Sequence, residues 1–420
     1  MRIKVEGGNP LNGTYTPSGS ANAAAACLAA ALLTEHPVTL SSVPHTTSTE
    51  SLLELANFLG TEISGGGDLP FEFITAQIAK RHLTPSVTGG MVGGMLFVAP
   101  VLARRGYVRL EVDFPLNRVR THLDALRDLK QDVTISNGAV EIKATHWEHL
   151  DILLSQASVT ATGMVMMLAA TQGRETVIRN AACEPHVQAL GQMLERMGAQ
   201  VEGIGSNCVR IFGTRELVGT HATLPNDHIE GASAAAMIAL SGGRGKVAGV
   251  RRSDMQMIGR TFHWLGMTLD IDADDSFVPR HESLSMSNRE EDVDASIESA
   301  PWPGFPSDLV PMATVVASQA VGTALIHEKM FNNRLLFVDK LNSMGAQIVL
   351  CDPHRAIVVG KTPLRGIYMD TPDVRAGLSL LAAALVADGT STIDNAQAIA
   401  NSFDGVIGKL QALGAKIHVE

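Results

Sequence analysis

An amphipathic helical pattern that stops at a glycine and passes straight into alternating apolar and polar residues returns through the whole chain. It reads LANFLGTEI around Gly60, LRDLKQDV around Lys130, LERMGAQV around Gly198, FHWLGMTL around Gly266, LNSMGAQI around Gly345 and LQALGAKI around Gly414. The spacing is about 70 residues, a period that marks a repeated supersecondary unit. Glycine just past a helix end takes the left-handed conformation, and the alternation after it predicts a strand. Lys130 interrupts the phrase in the second copy and predicts an altered helix end there.

A second pattern keeps the same phase. Alanine-rich helices such as AAALVADGTSTIDNA (382–396) and MLAATQGRETVIRNA (167–181) are apolar nearly all round and run into a turn and a strand. A helix without a polar face is a buried helix. Each follows a residue able to cap it: Ser20, Thr88, Thr160, Asp227, Asp308 and Asp373. Six such helices in two sets of three predict an α/β fold in two domains. Their N-termini, if they point to a common cleft, would favour an anion such as phosphate. Plain capping is the competing reading of the same residues.

Composition narrows the class. With 45% hydrophobic, 18% charged and 4% aromatic residues over 420 positions, the chain is globular, with an aliphatic core too large for one domain. A formal charge of −10 argues against nucleic acid or an anionic membrane as partner. No signal-like or membrane-length apolar run occurs, so a cytoplasmic location is expected. Cys27, Cys183, Cys208 and Cys351 are scattered, which predicts buried thiols rather than a disulfide framework. Neither metal nor cofactor is expected: His354 lies three after Cys351 without a second pair, and GGMVGG reads as a tightly packed helix start. The Asp-, Glu-, Ser- and Pro-rich stretch from 272 to 308 predicts an exposed insertion or long hairpin.

Longer phrases carry a family resemblance. VEGGNPLNGTYTPSGSANAA (5–24), SAPWPGFPSDL (299–309), MFNNRLLFVDKLNSMGAQI (330–348) and CDPHRAIVVGKTPLRGIYMDTPDVRAGLSLLAAAL (351–385) resemble the UDP-N-acetylglucosamine enolpyruvyl transferase (1-carboxyvinyltransferase) family, over essentially the whole chain. The resemblance implies a two-domain inside-out α/β barrel of six βα repeat units, with residues 18–226 as one barrel-like domain, residues 1–17 plus 227–420 as the other, and the active-site cleft between them. It also implies a peptidoglycan-related transferase of a small-molecule substrate, a nucleotide sugar or other phosphorylated acceptor.

Residue by residue, the resemblance divides. Asn22 matches a substrate-contacting asparagine, and Asp308 matches the aspartate proposed as base for the sugar 3-hydroxyl. Arg334 and Arg375 match active-site arginines, and Ser158 with Val159 match a uridine-contacting stretch. Against these, Ala21 stands in place of the catalytic lysine, Val92 and Asn401 in place of two arginines, Gln156 in place of a diphosphate-binding lysine and His228 in place of an arginine. The mobile loop corresponds to 102–126, is shortened and holds no cysteine; Asp113 as acid and Arg118 as phosphate ligand are its candidate replacements, depending on where the gap falls. An anion taken out of water needs cations to offset desolvation. Two functions follow as expectations: a family transferase with altered donor or acceptor, and a catalytically inactive homologue that binds a nucleotide-like ligand or a protein partner. Asp308 and Arg375 also admit a structural reading, as cap and intradomain ion pair.

Overall fold

The computed structural model describes residues 1–67, 69–136, 138–287, 296–370 and 374–420, the side chains of 374 and 375 excepted. The chain divides into two compact units, Gly19–Pro225 and the discontinuous pair Met1–Ser18 with Asn226–Glu420. It passes between them after Ser18 and after Pro225.

Six sheets share one pairing rule. In Gly19–Pro225 they run His221–Thr223, Val38–Ser41, Leu69–Ile74, Glu62–Gly66; then His82–Leu83, Tyr107–Glu111, Ala139–Lys143, Asp132–Ser136; then Trp147–Leu153, Gly173–Arg179, Cys208–Phe212, Gln200–Glu202. The first pair of each is parallel and the other two are antiparallel. Each parallel edge strand comes from the preceding repeat, and the third repeat returns its strand to the first sheet. The discontinuous unit obeys the same rule. There Ile3–Glu6 lies antiparallel between Thr390–Asp394 and Lys416–Val419, and Asn12–Tyr15 lies parallel to Arg244–Ala248.

Three helices are buried in each unit. Ala21–Ala31, Val159–Gln172 and the 3₁₀ turn Val92–Phe97 leading into Val98–Arg105 meet pairwise in one; His228–Leu240, Val310–Gln319 and Val374–Val386 meet pairwise in the other. Alanine runs make this possible, because small side chains let helices approach closely without leaving voids. Other helices, with one polar face, such as Thr47–Phe58 and Pro185–Arg196, pack beside the sheets. Cross-strand ion pairs such as Arg109 with Glu141 at 3.2 Å and Arg179 with Asp151 at 2.8 Å lie on the opposite, solvent-facing sides.

The six helix ends behave alike, Lys130 included. Its φ is +62°, and its N–H and that of Gln131 bond Arg127 and Leu126, as Gly60 and Thr61 bond Asn57 and Ala56. The expected alteration is absent because +62° is the part of left-handed space an L residue tolerates, and because Thr145 Oγ1 donates to the Lys130 carbonyl at 2.8 Å. Gly60 has no such latitude: φ is +102°, and a Cβ would meet the Gln77 carbonyl at 2.8 Å.

Other expectations need correction. Ser20 and Asp227 cap their helices, but Ser158, not Thr160, caps Val159–Gln172. Thr88 ends a short helix, Pro85–Thr88, and Asp308 lies inside the 3₁₀ turn Ser307–Leu309; in both repeats a 3₁₀ turn precedes the long helix and shifts its start. Asp373 lies outside the described residues. Cys27 and Cys183 are buried, whereas Cys208 and Cys351 are exposed on outward sheet faces. Within 272–308, Asp275–Val278 completes the ordinary hairpin and Ser296–Glu298 adds a strand parallel to Ala320–His327; residues 288–295 are outside the description.

Candidate functional site

In the discontinuous unit, Asp308 and Arg334 come together. The guanidinium Nη1 stands 3.1 Å from Asp308 Oδ1 and packs over the Phe331 ring at 4.8 Å. Both side chains are largely shielded, 12% exposed for Arg334 and 26% for Asp308, so the pair is neither a surface bridge nor a fully buried one. Arg334 reaches this place because Asn333 turns the chain with φ +64°, a conformation asparagine accepts more readily than most residues.

His228 opens the neighbouring buried helix and lies edge-on to Trp302 at 5.4 Å. Burial pushes its imidazole down to about 4; Asp254 and Asp308 pull it up, and Arg251 adds to the fall. The ring is therefore neutral at pH 7, and a cation near it is Arg251, whose Nε donates to the buried Asp254 at 2.9 Å.

A second network sits where the chain leaves this unit. Glu230, 2% exposed, accepts from Tyr15 Oη at 2.7 Å and from the Ser18 backbone N–H at 3.1 Å, and Lys409 Nζ lies 2.9 Å from it. Lys409 also donates to Ser18 Oγ, which donates to the Asp404 carbonyl at 3.1 Å. Burial raises the Glu230 pKa, with Lys409 and Tyr15 opposing. Asn401, three residues before Asp404, is exposed and ends the short helix Gln397–Ala400. The Arg375 side chain lies outside the described residues.

The Gly19–Pro225 unit arranges its candidates differently. Ala21 and Asn22 occupy the first turn of the Ser20-capped helix, Asn22 exposed. Val92 packs against the hydrophobic core. Asp113 is exposed and lies near Gly90, whose added Cβ would meet its carboxylate at 3.0 Å. Arg118 is exposed over Phe114 at 5.1 Å. Ser158 caps, Val159 begins the helix, and Thr160 Oγ1 meets His122 Nε2 at 2.8 Å. Other arginines of the 102–126 segment are engaged: Arg104 donates to the carbonyls of Leu32, Thr34, Thr75 and Ala76, Arg105 to that of Ile78, and Arg109 to Glu111 and Glu141.

Comparison with known proteins decides the family. The chain matches the EPSP synthase (3-phosphoshikimate 1-carboxyvinyltransferase) family over residues 5–410. It is 39% identical to the UDP-N-acetylglucosamine 1-carboxyvinyltransferase of Bradyrhizobium diazoefficiens, covering 98% of this chain and 96% of that one. The chain belongs to the enolpyruvyl transferase family. The protein of the same name from Borreliella burgdorferi is 37% identical, with 98% and 97% covered. Among solved structures, the enolpyruvyl transferase NikO from Streptomyces tendae superposes with a TM-score of 0.87 at 22% identity, covering 99% of this chain and 98% of that one. EPSP synthase from Acinetobacter baumannii superposes with a TM-score of 0.78 at 18% identity over the full length of both. At these identities the structural likeness speaks for the enolpyruvyl transferase fold alone. No helix among the described residues is long and apolar enough to cross a membrane.

Within this member of the enolpyruvyl transferase family, reading the sequence missed several residues that form the buried networks. Glu328, Glu230, Lys409 and Asp254 gave no repeated phrase. The one available signal was a carboxylate close to an apolar run, as in ALIHEKMF (324–331), where an acidic residue must find donors or stay out of the core.

Proposed function

We propose that the protein is a transferase of the enolpyruvyl transferase family that acts on a hydroxyl acceptor of nucleotide-sugar type, with a donor site unlike that of its relatives. The observation that carries this reading is the Asp308 and Arg334 pair at 3.1 Å. The carboxylate is placed to accept a proton from a hydroxyl that attacks beside it, while the guanidinium offers donors to an anionic group. Asn22, Ser158, Val159 and Arg375 complete the acceptor side in this reading, and Asp113 and Arg118 stand in for the loop acid and phosphate ligand. The two-unit inside-out barrel of the family, with its cleft, is the frame this reading assumes.

Ala21, Val92 and Asn401 supply no charge where the family pattern has cations. Val92 is packed into the core, and Arg104, Arg105 and Arg109 are held by carbonyls and carboxylates. These engagements favour a second reading, a homologue that binds the nucleotide sugar without turning it over.

Incubation with phosphoenolpyruvate and UDP-N-acetylglucosamine, followed by phosphate release, tests the altered donor site that both readings share. No release is expected with that donor; turnover at ordinary enzyme rates would show the donor site intact. Calorimetric titration with UDP-N-acetylglucosamine is expected to give heat that Arg334→Ala removes, and silence with every UDP-sugar would overturn the acceptor reading.

A further inference from the structure

Glu328 is fully buried, yet its partners are hydroxyls and backbone N–H groups. Its Oε1 accepts from Ser299 Oγ at 2.8 Å and from the N–H groups of Met330 and Phe331 at 2.7 and 3.0 Å; its Oε2 accepts from Ser307 Oγ at 2.7 Å. The backbone is fastened as well: the Glu328 N–H donates to the His354 carbonyl at 2.8 Å, and His354 Nδ1 lies 2.9 Å from the Glu328 carbonyl. Ser299 Oγ in turn accepts from the Lys329 N–H at 2.8 Å.

A carboxylate stripped of water costs several kcal/mol unless its oxygens are fully hydrogen-bonded, and an apolar residue of similar size would often serve stability as well. What an apolar residue lacks is the ability to join three chain segments at one point. Here the donors come from residue 299, from residue 307 next to Asp308, and from residue 331, whose ring carries Arg334. We infer that Glu328 is a positioning residue: it holds the 328–334 loop against the 299–309 turn so that Arg334 meets Asp308. This inference rests on the acceptor reading for its functional meaning, and on geometry alone for the positioning itself.

Glutamine keeps the shape and one oxygen, and its amide can donate to Ser307 Oγ, which then needs no carboxylate. Leucine keeps only the volume. The test compares Glu328→Gln and Glu328→Leu by the guanidinium NMR signals of Arg334 in the ligand-free protein, assigned with Arg334→Lys, and by calorimetry with UDP-N-acetylglucosamine. Thr314→Val, which removes a buried hydroxyl bonded to the Val310 carbonyl in the same unit, is the control for loss of stability alone.

Glu328→Gln is expected to keep the Arg334 signals and the affinity. Glu328→Leu is expected to collapse those signals to the position of a free arginine and weaken binding by about tenfold or more, equivalent to 1.4 kcal/mol. Thr314→Val should leave both unchanged. Should Glu328→Leu fail to fold, Ser299→Ala removes one donor remote from the pair and is expected to broaden the Arg334 signals. Arg334 signals at wild-type positions in Glu328→Leu, or in Ser299→Ala where that variant is needed, would overturn the inference. If the wild type binds no UDP-N-acetylglucosamine, the acceptor reading falls, while the signals still decide the positioning role.

Discussion

Arg334 and Arg118 were both expected at a ligand, and their surroundings differ. Arg334 stacks on Phe331, pairs with Asp308 and stands on a loop fixed by the buried Glu328 carboxylate. Arg118 lies exposed in the 3₁₀ turn Leu116–Val119, over the ring of Phe114. The same contrast runs through other candidates. In the discontinuous unit Asp308 and Arg334 are largely shielded and paired, whereas in Gly19–Pro225 Asn22, Asp113 and Arg118 are exposed and Val92 packs against the core. A side chain that holds the fold is maintained by folding whatever the ligand; an exposed one answers to the ligand alone.

Four measurements sharpen or break this contrast. The largest effect is expected from Lys409→Met, which leaves the buried Glu230 without its cation and should cost about 3–5 kcal/mol, read by urea unfolding with hydrogen exchange to localise the loss. Because burial raises the Glu230 pKa above its ordinary 4.5, the folded state binds more protons there than the unfolded chain. Its contribution is intact below 4.5 and declines as pH rises through the raised value, and Lys409→Met should steepen that decline. A variant as stable as wild type would mean the network is ornamental.

Next come two buried histidines, His122 in Gly19–Pro225 and His228 in the discontinuous unit. His122 and His228 are each pushed by burial from an ordinary 6.5 to about 4, so the unfolded chain binds more protons between those values. Stability should therefore fall as pH drops from 6.5 towards 4, by roughly 3 kcal/mol per site at most. His122→Gln and His228→Gln should each flatten the acid limb of their own unit, and an unchanged slope would place the titration elsewhere.

Smaller is the direct comparison of the arginines. Arg334→Ala is expected to lower stability by about 2 kcal/mol through lost stacking on Phe331 and loss of the ion pair with Asp308, whereas Arg118→Ala should stay within about 0.5 kcal/mol. Equal effects on thermal unfolding would remove the contrast. The smallest change is a gain: Lys130→Gly relieves a left-handed lysine and should stabilise by about 0.5–1 kcal/mol, less what glycine adds to unfolded-chain entropy.

The repeat was legible because its parts are local. Helical periodicity, the glycine past Leu59, Met197, Leu265, Met344 and Leu413, and the alternation after it are written in adjacent residues. The buried helices were legible from alanine runs for the same reason. Cap positions were not: Thr160 and Ser158 are equally good caps, and only the path of the chain from Leu153 decides that Ser158 turns first. Nor was the wiring of Asp308 and Arg334, since Glu328 is satisfied by backbone N–H groups that every sequence possesses. Lys130 was misread because the left-handed region near +62° favours glycine without requiring it, and a lysine there closes the helix end with the same bonds at a modest cost.

The placement of the first two strands sets an order of assembly during synthesis. Gly19–Pro225 needs nothing beyond its own last strand, His221–Thr223, and can close as soon as that strand has left the ribosome. Ile3–Glu6 must wait for Thr390–Asp394 and Lys416–Val419. At about 5–20 residues per second that wait is roughly 20–80 s. Throughout it, Ile3 and Val5, both fully buried in the finished molecule, have no sheet to enter. A nascent chain arrested near residue 290 should accordingly show a protease-resistant 19–225 core with a cleavable leading segment, the earliest-made strand being the last to be placed.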